Sequence, residues 1–134
     1  MDEAWIPWIR AVGVLQGLVA AMNLALPGRL DCRRNLARVD PLIRQIFVVH
    51  WVYIVIVLLG MAAVCLLFPG ELASGHGLGR FLSAGMSLFW LGRAGVQIFY
   101  YDPEVRRRHR VADGMFLAGA AFMGIVMGAA AGVR

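Results

Sequence analysis

Lysine is absent from this chain of 134 residues, and all 13 of its basic positions are arginine. Selection for bidentate phosphate or carboxylate contacts would give that pattern, but a codon bias toward arginine is the simpler reading. Cysteine is scarce as well. Cys32 lies in a basic loop and Cys65 near the far end of the next apolar run. A helix of about 25 residues between them is far longer than a disulfide can span, so both read as free thiols and the redox compartment stays open. Charge makes up only 16% of the chain and gathers between apolar runs. Missing too are C-x-x-C-H, H-E-x-x-H, an acidic metal cluster, a phosphate-cradling glycine loop, and a nucleophile with a base at useful spacing. No catalytic residue and no metal ligand is therefore assigned.

What the chain does have is apolar surface. It is 60% hydrophobic with a mean hydropathy of +0.72, where a soluble domain sits near about 45–50% apolar. Each membrane span needs ~20 residues to cross a ~30 Å core, so four spans use most of the chain and leave no room for a soluble domain. The expected fold is a single membrane domain over 1–134. It is an all-α, four-transmembrane-helix antiparallel bundle with two short interfacial helices on the cytoplasmic side.

The spans are expected at about 5–26, 42–68, 80–101 and 111–133. An acidic start (Asp2, Glu3) and a run ending in Pro27-Gly28 argue that the first is a retained span and not a signal peptide. Asp31 is expected to cap a short helix over 32–38, and Asp40-Pro41 and Asp102-Pro103 to start the next helices. DPLIRQ (40–45) and DPEVRR (102–107) resemble a repeat, but shared helix-start chemistry accounts for them. Segment 69–79 reads as a small glycine-rich loop. Nine of the 13 arginines fall in 28–44 and 102–112. Positive-inside bias then puts both loops in the cytoplasm of a prokaryotic inner membrane, with the termini outside. The net charge of +5 is this asymmetry and not a nucleic-acid footprint. Anionic inner-leaflet lipid is a partner for the RRRHR segment.

Polar groups inside spans are costly, ~2.5–3.5 kcal/mol for a central arginine, and so they carry the most information. Arg10, Gly13, Gln16, Gly17, Ala20 and Asn23 form one polar, small stripe on the first span, expected to face inward. By depth, Asn23, His50, Arg93 and Gln97 converge in the cytoplasmic half, with Gln45 nearly level. Tyr53 lies one turn above His50, and Asp113 is the acid at the right depth to be a counter-ion. These residues form the candidate ligand site, for an anionic, quinone-like or lipidic group gripped by Arg93 with His50 as a second donor. The three histidines lie at different depths, so no cofactor is expected. Two His50 copies across a homodimer would supply a haem pair, and a quinone would sit at Arg93; the residues leave these options open.

Small residues give a second theme. Ala120, Gly124, Gly128 and Gly132 recur every fourth residue, with Gly13/Gly17 and Ser83/Ser87 as shorter versions, and such faces let helices approach closely in lipid. Two functions follow. One is a non-catalytic packing or assembly subunit of a membrane complex or homo-oligomer; the alternative is a binding protein or transporter for a small ligand at the His50/Arg93 level.

Overall fold

The computed structural model describes residues 3–132 and is helical throughout, with no strand among the described residues. Asp2 and Val133, the acidic start and the expected last residue of the fourth span, lie outside them. A 3-10 turn at Glu3–Trp5 leads into α1 (Ile6–Arg29), followed by α2 (Cys32–Leu36), α3 (Pro41–Leu67), α4 (Pro69–Leu72), α5 (Gly77–Phe99), α6 (Pro103–Arg108) and α7 (Arg110–Gly132). By length and composition three stretches can cross a membrane: Glu3–Arg29, Pro41–Leu67 and Arg110–Gly132. The 23-residue α5 is long enough but falls short in apolarity, because it carries Arg80, Arg93, Gln97 and several glycines. Three helices qualify on this criterion, then, where the sequence predicts four.

Local chemistry explains most boundaries. Asp40 accepts from the Leu42 amide at 2.9 Å, and Asp102 from the Glu104 amide at 2.8 Å. Each is followed by a proline at the first helical position, where a missing N–H costs nothing. Asp31 behaves differently from expectation. It adopts a left-handed conformation (φ 50°) and makes no side-chain cap; its backbone carbonyl instead accepts from Arg34 and Asn35 at 3.1 and 3.0 Å. Aspartate is among the few residues that tolerate this conformation, and it turns the chain sharply from α1 into α2.

Two further boundaries move. Segment 69–79 is not all loop, because its first residues form the one-turn α4, which buries Pro69 and Leu72. And α1 does not end at Leu26: it runs through Pro27 to Arg29. A proline inside a helix cannot donate to the carbonyl four residues back, which leaves the Asn23 carbonyl without its usual partner.

The long helices associate most extensively in the pairs α5–α7 and α1–α3, and α1 also meets α7. Ile9, Val12, Leu58, Trp90, Met123 and Met127 form the centre of the core. Ser87 donates to the Gly124 carbonyl at 2.7 Å, tying α5 to α7. Ser83 donates to the Leu72 carbonyl at 2.9 Å, tying α5 to α4. The Cys65 thiol meets the Met86 sulfur at 3.7 Å between α3 and α5. Most of α3 faces outward; its buried residues are Val55, Leu58, Ala62 and Cys65.

Candidate functional site

The Asn23 carbonyl, left open by Pro27, finds its donor in another helix. Trp51 of α3 donates its indole N–H to that oxygen at 3.0 Å, taking over the role that residue 27 cannot fill. Asn23's own amide nitrogen donates back to the Val19 carbonyl at 2.9 Å. Proline and tryptophan together therefore give the α1–α3 pair a directional contact. On either side of this clasp lies a cleft, and both clefts share Asn23 and Leu26.

The first cleft, about 400 Å³, is lined by residues of α1, α3, α5, α6 and α7, among them Asn23, Trp90, Arg93, Gln97, Asp113 and Phe116. The guanidinium of Arg93 lies 4.6 Å from the centre of the Phe116 ring and 5.4 Å from that of Tyr101, a cation–π arrangement on two sides. It donates to Gln97 Oε1 at 3.1 Å, one helical turn on. Gln97 in turn donates to Asp113 Oδ1. Asp113 is held in a fork by Arg106, whose Nε and Nη2 donate to Oδ1 and Oδ2, both at 3.0 Å. That carboxylate hydrogen bond raises the Arg106 guanidinium further above its ordinary value, so it stays charged. Two guanidiniums and one carboxylate leave the network with a single positive charge, housed beside aromatic faces.

The predicted residues divide cleanly. Asn23, Arg93, Gln97 and Asp113 all line this cleft. His50 and Tyr53 do not: both are exposed, Tyr53 at 64%, and the His50 ring bonds the Ile46 carbonyl of its own helix at 2.8 Å. Gln45 is exposed as well. Arg106 and His109 line the cleft although their sequence positions read as loop charge. Arg106, and not Arg93, is the ion-pair partner of Asp113. The α1 stripe is buried at Gly13, Gln16 and Ala20, half-buried at Gly17 and Asn23, and exposed at Arg10. Gln16 has no exposed surface, and neither its amide nitrogen nor its oxygen has a partner among the described residues.

The small residues also divide. A Cβ at Gly124 would sit 2.6 Å from Leu91 Cγ, at Gly128 2.8 Å from Ser87 Oγ, and at Gly13 2.9 Å from Leu66 Cγ. Ala120 is fully buried. A Cβ at Gly17 or Gly132 would meet nothing within 4 Å. A different open face escapes the sequence pattern: on α5, Phe81, Gly85, Leu88 and Gly92 recur at three- and four-residue spacing, and Phe99 follows seven residues on. Phe81, Leu88 and Phe99 are 73, 75 and 89% exposed, and a Cβ at Gly85 or Gly92 would again meet nothing.

Comparison with known proteins brings no relative: no family model, curated protein or solved structure matches this chain.

Proposed function

We propose that this chain is a small, non-catalytic integral membrane protein that acts as a packing or assembly subunit, associating through the outer face of α5. In this reading α1, α3, α5 and α7 are four antiparallel spans. Helices α2 and α6 lie along the cytoplasmic interface of a prokaryotic inner membrane, and the positive-inside bias of their arginines sets the orientation. The occupant of the α5 face is a partner helix in the bilayer, in the first instance a second copy of this chain.

The observation that carries the reading is the contrast within α5. It is the long helix that falls short of the apolarity of a membrane span, yet it turns a seam of Gly85 and Gly92, flanked by exposed Phe81, Leu88 and Phe99, away from its own core. Lipid gains nothing from a glycine groove, whereas a partner helix gains close backbone approach. The interior polar network supports the same reading, because Arg93, Gln97, Asp113 and Arg106 engage one another.

Native mass spectrometry after gentle extraction tests it. The wild-type chain is expected to travel as a higher assembly, and Gly92→Leu to travel as a folded monomer. A wild-type chain that is purely monomeric, or a Gly92→Leu chain that assembles as before, overturns the reading. The alternative is a binding protein for an anionic, quinone-like or lipidic group in the Arg93 cleft, favoured by that cleft's volume of about 400 Å³ and its single surplus positive charge. It predicts an adduct mass that Arg93→Gln abolishes.

A further inference from the structure

The second cleft, between α1, α2 and α3, is larger, about 620 Å³, within the usual range for ligand pockets. Its two kinds of lining suggest an amphiphile. Leu26, Leu36, Phe47 and Trp51 give it an apolar wall, and Arg33 and Arg44 are its charged residues. Neither of these guanidiniums has an ion pair or a side-chain hydrogen bond among the described residues, where the ion pairs are Arg106–Asp113 and Arg108–Glu104. No acid among the described residues lines the cleft. The nearby Asp40 carboxylate is already engaged with the Leu42 amide. Two unpaired arginines above an apolar floor complement one negative headgroup above an acyl chain.

The cleft is also preformed. The left-handed turn at Asp31 and the 3.0 Å bond from Asn35 to the Leu30 carbonyl hold α2 over it. The Trp51–Asn23 clasp fixes its opposite wall.

We infer that this cleft is a binding site for one anionic phospholipid, its phosphate held by Arg33 and Arg44 and an acyl chain lying against Leu26, Leu36, Phe47 and Trp51. The inference rests on the chain's being a membrane protein, but not on the α5 association face.

Cys32 lines the same cleft and is half-buried, whereas Cys65 is fully buried. Maleimide alkylation of Cys32 in nanodiscs therefore reads occupancy, with an unreactive Cys65 as the sign of an intact fold. Nanodiscs of phosphatidylcholine alone are compared with nanodiscs doped with phosphatidylglycerol. Two arginine contacts of ordinary strength at a membrane surface give an about 30-fold preference for the anionic lipid, so phosphatidylglycerol is expected to slow Cys32 alkylation. Arg33→Gln/Arg44→Gln is expected to remove that protection while Cys65 stays unreactive. Equal rates in the two nanodiscs, or protection that survives the double substitution, overturn the inference. Protection by inorganic phosphate alone would reassign the arginines to a free anion and overturn the lipid assignment. A monomeric chain that still shows lipid protection would sink the assembly reading and leave this site standing.

Discussion

The Pro27–Trp51 clasp makes a quantitative prediction. Pro27 has no N–H to offer the Asn23 carbonyl, and the Trp51 indole supplies the missing donor at 3.0 Å. Trp51→Phe keeps an aromatic ring against α1 but removes that donor. An unsatisfied, partly buried carbonyl costs ~1–3 kcal/mol, and interhelical bonds in membranes fall near the low end, ~0.6–1.7 kcal/mol. The single substitution is therefore expected to cost about 1–2 kcal/mol, part of it from lost ring area.

Pro27→Ala separates the two contributions. An alanine at 27 can donate its own N–H to the Asn23 carbonyl, as in any uninterrupted helix. In that background Trp51→Phe loses only ring area. The difference between the two costs, the coupling energy, is expected to be about 1 kcal/mol, and terms common to both backgrounds cancel. Unfolding of the four proteins in mixed dodecyl maltoside and sodium dodecyl sulfate micelles, followed by circular dichroism, measures it. A coupling indistinguishable from zero would mean that the indole does not replace the proline's missing donor, and the clasp would reduce to simple packing.

The remaining predictions use the same titration. Gln16→Met fills a similar volume without polar atoms; because both amide atoms are buried and unpartnered, it is expected to stabilise by about 1–3 kcal/mol, and a loss of stability would mean that the amide has a partner such as a bound water. Gly124→Ala drives a Cβ into Leu91 and is expected to cost about 1–3 kcal/mol, whereas Gly17→Ala enters open space and is expected to be neutral or stabilising; equal effects would refute the close α5–α7 contact. Asp113→Asn takes the charge from the acceptor shared by Arg106 and Gln97, and is expected to lower the unfolding midpoint more than Glu104→Gln. The latter breaks an ion pair whose side chains are 76 and 73% exposed and which is worth little; the reverse order would show that the interior network does not lock α6 to α7.

Some of this was readable in advance and some was not, for identifiable reasons. Asp-Pro at 40–41 and 102–103 is local chemistry, and local chemistry survives folding. Arg93 and Gln97 stand four residues apart, so their contact is nearly built into the helix. Asp113 was placeable because depth along a span follows from a fixed rise per residue. Arg106 was not: its role depends on α6 folding back over the end of α7, and nothing in the run RRRHR distinguishes one arginine from the next.

His50 shows the harder limit. Depth follows from counting residues, but rotation about a helix axis needs an amphipathic pattern, and α3 has almost none: an 18-residue stretch of it has a mean hydropathy of 2.5, and apolar residues surround it on every side. With no pattern to read, the rotation emerges only in the folded bundle, where Trp51 bonds the carbonyl that Pro27 leaves open and Val55, Leu58, Ala62 and Cys65, on the same stripe, are buried. Neighbouring residues on a helix are about 100° apart, so aiming Trp51 at α1 turns His50 away from the cleft and Tyr53 to the far side. The histidine is on the outer face of α3, exposed and bonded to the Ile46 carbonyl of its own helix. The proline at 27, in a different helix, is one part of that arrangement; because Val55, Leu58, Ala62 and Cys65 stay buried without the clasp, Pro27→Ala/Trp51→Phe is expected to leave His50 on the outer face.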